Sequence, residues 1–197
     1  MPGNKPNIVF FFTDDQRAGT IHALGNERIH TPNMDWLVEN GTAFTQAYIM
    51  GGTCGAVCMP SRAMLMTGRT LFHLDDLGQK IPEDHIMLGE VLRKAGYNTF
   101  GTGKWHNGPD AYTRSFNNGA EIFFGGMNDH WNVPACRFNP EGVYPEPREL
   151  EARFGDLHVQ INPQYDHIPR GKHSSDLFCD AAVDFISQYQ EDEPFFA

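Results

Sequence analysis

The sequence predicts an α/β fold built on a mostly parallel sheet flanked by helices. Three observations carry this reading. The run Ile8-Val9-Phe10-Phe11-Phe12 is apolar without alternation, as in a strand covered on both faces. Segments of strand character alternate with segments of helical spacing along most of the chain. With 197 residues, 40% hydrophobic and 20% charged, the chain can bury a core. Its 15 Phe, 6 Tyr and 3 Trp exclude disorder. No apolar run approaches the roughly 18–20 residues of a membrane span.

The elements follow in order. Asn7–Thr13 reads as a buried strand ending in the carboxylate pair Asp14-Asp15. Thr31-Pro32-Asn33 marks a helix start, with Thr31 as N-cap and Pro32 at the first helical position. Met34, Leu37 and Val38 supply its apolar stripe, and Gly41 suits its C-terminal cap. A short strand is expected over Thr42–Ile49, then a helix over Ser61–Met66. A clearer helix spans Met87–Ala95, with Leu88, Val91, Leu92 and Ala95 on one face and Gly96 as stop. Tyr97–Thr102 resembles a strand entering a Gly-rich turn at Gly101-Thr102-Gly103. Residues 107–172 hold 7 of the 13 prolines, which predicts long loops with a small hairpin inserted at the edge of the fold. Helical spacing returns from Phe178 to Tyr189, with Ser174 or Ser175 as N-cap, and Pro194–Ala197 looks like the opening of a strand. An α/β domain rarely ends by starting a central strand, so the expectation is an N-terminal portion of a catalytic domain. It divides into a core (1–106), a loop-rich insertion (107–172) and a return helix with strand start (173–197).

Fifteen Lys and Arg against 25 Asp and Glu give a formal charge of −10, the opposite of a nucleic-acid binder. Cys54, Cys58, Cys136 and Cys179 are too few for a disulfide scaffold and form no CxxC pair. The first seven residues lack the apolar core of a secretory leader, which fits a cytoplasmic protein, or a periplasmic or secreted one whose leader has been removed.

Three motifs carry chemistry. Asp14-Asp15 stands where open α/β sheets place ligands, and paired carboxylates suit a hard divalent cation, although a solvated turn is the common alternative. In Cys58-Met59-Pro60-Ser61-Arg62, Cys58 lies just before or at a helix N-terminus, where N–H groups and the helix dipole favour an anion. Arg62, one turn on, can set a guanidinium against an oxyanion at the same spot. In Gly96–His106, Lys104 and His106 are two apart on an extended segment and so point to one side, suited to anion binding and proton shuttling. The nucleotide-loop pattern fails there, because residue 98 is Asn and Trp105 stands in place of Ser or Thr.

Together the motifs resemble the sulfatase family of the alkaline-phosphatase-like superfamily. The hallmark C-x-P-S-R is matched by Cys58–Arg62, the G-Y-x-T run ending G-K-W-H by Gly96–His106, and the first-strand Asp-Asp by Asp14-Asp15. Met59 and Thr102 depart from the commoner residues without removing a functional group. The resemblance implies an alkaline-phosphatase-like sheet and hydrolysis of a sulfate monoester. Cys58 would be oxidised to Cα-formylglycine by a formylglycine-generating enzyme. Asp14, Asp15 and the Cys58-derived diol would ligate Ca²⁺ or Mg²⁺. Arg62 would stabilise the hydrate, Lys104 would bind sulfate, and His106 would assist collapse of the sulfo-enzyme. The partner implied is a sulfated small molecule or glycan. A downstream Asp-Asn pair, a His and a Lys that the family uses would fall after Ala197. The alternatives are a phosphonate monoester or phosphodiester hydrolase of the same superfamily, and a non-catalytic sulfatase-like binding protein. His73, Asp75 and Asp76 follow Arg69 and could border the pocket, with a surface turn as the simpler reading; Asp129, His130 and Trp131 sit in the Pro-rich loops, where the resemblance implies that substrate specificity is built, and are weaker candidates for substrate contact.

Overall fold

A computed structural model of the chain describes residues 5–48, 58–74, 78, 80–154, 157–161 and 163–197. Two compact units divide it: Phe11–Met50, and Met1–Phe10 with Gly51–Ala197.

The smaller unit is organised around α1 (Pro32–Asn40). Thr31 holds the N-cap position, yet its hydroxyl does not cap the helix. It donates to Asp35 Oδ1 (2.9 Å) and accepts from His22 N–H (2.9 Å), while the same carboxylate accepts from Ala23 N–H (2.9 Å). That backbone bond chiefly holds the Asp35 carboxyl below the usual range. The expected apolar stripe is not buried: Leu37 is exposed, and so is Trp36. Gly41 ends the helix in extended backbone rather than a left-handed cap. The strand expected over Thr42–Ile49 does not form across residues 42–48, which pair with no neighbour.

In the larger unit three parallel strands make the sheet, in the order β2-β1-β5. The helices before it are α2 (Cys58–Thr67) and α3 (Leu88–Lys94); then come β1 (Asn98–Lys104), α4 (Pro109–Ser115) and β2 (Asn118–Phe123). The hairpin β3 (Leu150–Phe154) and β4 (Leu157–Ile161), α5 (Ser174–Gln188) and β5 (Phe195–Phe196) complete it. The predicted α/β class is therefore observed. Residues 5–10 join through Ile8, whose N–H donates to Phe195 O (2.8 Å) and whose carbonyl accepts from Ala197 N–H (2.9 Å). Ile8 bridges Phe196 in parallel and Phe10 N–H donates to Ala197 O (2.7 Å), so the first segment runs parallel to β5 as its apolar run predicts, with Val9 and Phe10 exposed.

Both faces of β1 are covered, and its glycines explain how. Phe100 stacks on Phe185 of α5, ring centroids 4.2 Å apart, on one side. Gly101, on the other, receives Tyr112 of α4, whose hydroxyl donates to Gly101 O at 2.8 Å. A Cβ at Gly101 would meet that oxygen at 2.8 Å, and one at Gly119 in β2 would meet it at 2.0 Å. The Gly-rich stretch is thus strand, not turn, because the glycines make room for a buried tyrosine. Burial pushes the Tyr112 phenol well above its ordinary pKa. Tyr112 also packs edge-on to Trp105 and Phe124, at the centre of an aromatic core with Phe116 and Phe196. Burying each such ring stabilises the fold by about 1.5–3 kcal/mol.

β1 then turns over at Gly103, whose backbone is left-handed at φ 83°, opposite a bulge in β2. Thr102 pairs with Ala120 but Gly103 pairs with Ile122, leaving Glu121 as the extra residue in left-handed backbone (φ 49°). Past the bulge Gly103 faces α5, where a Cβ would sit 3.1 Å from the Phe178 ring. On the α3–α4 side the contact face differs from the expected one: Leu88 and Val91 are exposed, whereas Gly89 lies against Ser115. A Cβ at Gly89 would come 2.5 Å from Ser115 O, so the helices approach through the glycine. The expected N-cap of α5 is also shifted. His173 caps it, its Nδ1 accepting from Ser175 N–H at 3.2 Å, and Ser174 is the buried first helical residue. Residues 109–123 supply α4 and β2, and irregular backbone prevails from Phe124 to the hairpin.

Candidate active site

Helix α2 begins at Cys58 itself. The first N–H groups of a helix have no intrahelical partner, so Pro60 fits the opening turn without losing a bond. Cys58 is half-buried at that terminus. Arg62, one turn later, is 8% exposed, and its Nη1 donates to Lys104 O at 2.5 Å. The last residue of β1 is thereby tied to α2, across 42 positions of sequence.

A second tie is made by Asn107, a residue the motif reading passed over. Its side chain is 2% exposed, and its Nδ2 donates to Gly78 O (2.8 Å) and Met59 O (3.2 Å). Gly78 has φ 82°, and a Cβ there would lie 2.9 Å from Pro60 Cα. The first turn of α2 therefore rests directly on the segment that follows β1. The sequence signal was position alone: the Asn directly follows K-W-H.

Between Lys104 and Asn107 the chain is anchored by Trp105. Its N–H donates to Phe123 O (2.8 Å) and its indole Nε1 to Gly108 O (2.8 Å), with the ring buried. Lys104 and His106 are each half-buried. They do not share a side by strand alternation, because β1 ends at Lys104 and His106 sits in left-handed backbone at φ 69°. Such a conformation in a non-glycine residue costs about 1–3 kcal/mol and clusters at functional sites. It lays the imidazole against Gly126, where a Cβ would fall 2.5 Å from Nε2 and 2.6 Å from Cε1.

Asp14 and Asp15 belong to the Phe11–Met50 unit. Both are exposed on irregular backbone, with Asp15 left-handed at φ 49°. Their carboxylates are hard oxygen donors of the kind Ca²⁺ and Mg²⁺ take. Among the described residues no group of three or more His, Cys, Asp or Glu side chains stands ready to hold a metal. His73 is an exposed residue of a short 3₁₀ turn, and Asp75 and Asp76 lie outside the described residues. Asp129 accepts from Trp131 N–H (2.9 Å) and from Asn132 Nδ2, and the backbone bond chiefly holds its carboxyl below the usual range.

Chemically, the arrangement gathers a helix N-terminus, a buried guanidinium and a lysine-histidine segment, all suited to a tetrahedral oxyanion. Comparison with known proteins agrees. The chain is 27% identical to N-acetylgalactosamine-6-sulfatase of Mus musculus over 97% of its length, spanning 38% of that protein. It is 26% identical to N-acetylglucosamine-6-O-sulfatase of Bacteroides thetaiotaomicron, over 97% of the chain and 29% of the relative. To the ulvan-active sulfatase of Formosa agariphila it is 34% identical, over 67% of the chain and 25% of the relative. The chain thus spans well under half the length of these relatives. With the sulfatase family profile matching residues 6–197, and the two motifs that carry the site's charged groups lashed together in space, this chain belongs to the sulfatase family.

Proposed function

We propose that this chain is the nucleophile-bearing part of a sulfuric ester hydrolase that cleaves the sulfate monoester of a carbohydrate. The observation that supports this most is the joining of Cys58–Arg62 to Lys104–Asn107 through the Arg62–Lys104 and Asn107–Met59 bonds. The sugar half of the reading rests on relatives named for sulfated N-acetylhexosamines and for ulvan.

In this reading Cys58 is matured to Cα-formylglycine by a generating enzyme, and the modified residue supplies a hydrated aldehyde as nucleophile. Asp14 and Asp15 contribute oxygens to a divalent cation, Ca²⁺ by preference, which supplies charge neutralisation at a sulfate oxygen when bound. Arg62 holds its guanidinium beside the first turn of α2, where it stabilises charge on the attacking oxygen. Lys104 binds a sulfate oxygen. His106 takes the proton from the remaining hydroxyl when the covalent adduct collapses, and its fixed left-handed backbone limits how far the ring strays from that position. Among the described residues no helix is long and apolar enough to cross a membrane.

The test has two arms. Mass spectrometry of the tryptic peptide bearing Cys58, with a hydrazide trap for aldehydes, is expected to find the aldehyde after co-expression with a generating enzyme. A free thiol under those conditions sinks the reading and favours a non-catalytic relative. Turnover of 4-nitrophenyl sulfate is expected to exceed that of bis-(4-nitrophenyl) phosphate, and the reverse order makes the protein a phosphodiester hydrolase of the same superfamily.

A further inference from the structure

Immediately beyond the glycine that receives the His106 ring, the chain builds a surface unlike the rest of the molecule. Residues Met127–Trp131 leave Gly126 and end on an indole that is 54% exposed. This exposed ring is not left on a loose tip. Trp131 O accepts from Gly171 N–H (3.1 Å), and His130 O accepts from Ser174 N–H (2.8 Å). The His130 Nδ1 lies 2.8 Å from Ser174 Oγ, and Ser174 is buried at the start of α5. His173 stacks on His130 with centroids 5.3 Å apart, and Trp131 stands edge-on to His173 at 5.2 Å. The three rings therefore form one rigid aromatic step. Rigidity matters because a pre-ordered side chain loses little further entropy when a ligand lands on it.

The step is rimmed by polar groups. The Asp129 carboxylate, fixed by Trp131 N–H and Asn132, retains lone pairs for further donors. His173 Nδ1 accepts from Ser175 N–H, so in the neutral ring the proton sits on Nε2 as a donor. A flat apolar face bordered by a donor and a carboxylate is not a seat for a lipid or an apolar helix. It matches a pyranose, whose C–H face packs on an indole while its hydroxyls meet the rim. Trp131 lies five positions after Gly126, which bounds their Cα distance at about 18 Å, a span of a few sugar units.

We infer that Trp131, with the His130–His173 stack and the Asp129 carboxylate, is a carbohydrate subsite that holds a sugar ring of the substrate adjoining the sulfated unit. The inference rests on the sulfatase reading and deepens it. The carboxylate at the rim also sets a preference: the ring on the step carries free hydroxyls rather than a second sulfate, because a sulfate there would face Asp129.

The experiment uses the mature full-length protein, assayed on 4-nitrophenyl sulfate and on a panel of sulfated tetrasaccharides from chondroitin 6-sulfate, heparan sulfate, carrageenan and ulvan. For the tetrasaccharide cleaved fastest, Trp131→Ala is expected to lower kcat/KM by about 5- to 10-fold, mainly through KM, with Trp131→Phe recovering part of it. Turnover of 4-nitrophenyl sulfate is expected to stay within about twofold, since that substrate has no second ring. An equal fall on both substrates would show that Trp131 only supports the fold, and no fall on either would show that the step is empty in the complex. Either outcome overturns the subsite. Cleavage of the aryl ester with none of the four tetrasaccharides cleaved also overturns it while leaving the sulfatase reading intact. A matured protein that cleaves no sulfate ester at all removes the sulfatase reading itself.

Discussion

Single residues at this site are held by contacts that make sharp predictions. Arg62 is buried with its Nη1 on Lys104 O, so Arg62→Lys removes the planar fork while keeping the charge. We expect it to lower kcat by about 100- to 1,000-fold, the range for losing one preorganised donor to a developing charge. Steady-state kinetics on an aryl sulfate, beside a thermal melt to exclude unfolding, would check this. Asn107→Ala leaves the buried Gly78 carbonyl without this donor and removes the tie to Met59 O. The expected loss is about 1–3 kcal/mol of stability, measurable by urea titration; an unchanged midpoint would mean that Asn107 is not the strut described. Gly126→Ala acts on activity instead. Its Cβ would fall on the His106 ring, so a drop in kcat with little change in melting temperature is expected. Cys136 is buried, and burial first, then the nearby Asp166 charge, pushes its thiol from 9.0 up to about 12. A raised folded pKa favours the folded state below the unfolded value and loses that contribution as pH rises through the folded one. Alkaline destabilisation between pH 9 and 12 should therefore ease in Cys136→Ala, read as a flatter melting-temperature profile across that window.

At the scale of elements, the sheet is ordered by where glycine lets a neighbour in. Gly101 and Gly119 both border the Tyr112 hydroxyl, and neither strand propensity nor periodicity foretells that. Gly119→Ala should destabilise the protein by about 1–3 kcal/mol through overpacking. Tyr112→Phe in the same chain should recover part of that loss, because it removes the oxygen the new methyl meets. A double-mutant cycle with no coupling between the two would contradict this packing. The bulge at Glu121 lies in β2 opposite Gly103, the left-handed residue (φ 83°) that precedes Lys104 at the end of β1. The Glu121 side chain is fastened from outside: its Oε2 lies 2.8 Å from His167 Nε2, and His167 Nδ1 is bonded to Asp166.

For the whole molecule, the residues singled out in the sequence are divided between the two compact units. Cys58, Arg62, Lys104 and His106 belong to the larger one, and the Asp14-Asp15 pair to the Phe11–Met50 unit. Because both carboxylates are exposed, Asp14→Asn with Asp15→Asn is expected to leave the melting temperature of the metal-free protein within about 1 °C. Activity restored by adding Ca²⁺ after chelation should be lost in that variant; full restoration would remove the pair from the metal site. If the proposed substrate is a polyanionic glycan, the formal charge of −10 predicts that moderate ionic strength speeds encounter by screening like-charge repulsion, read as a rise in kcat/KM with added salt.

Much of this was legible in the residues alone. The α/β class, a helix over Ser61–Met66 within α2, the return helix α5 and the closing strand β5 follow from spacing and turn residues, which are local properties. So does the family, since its motifs are contiguous words in the chain. What the sequence could not decide is which side of each element meets another. The α3 contact with α4 passes through Gly89 rather than Leu88 and Val91. His106 leaves the alternation of its strand because its backbone turns left-handed, and Asn107 becomes a strut only when Met59 and Gly78 are brought to it. Periodicity records how a segment repeats along itself. Burial, register and the left-handed turns depend on partners tens of residues away, and only the folded chain supplies them.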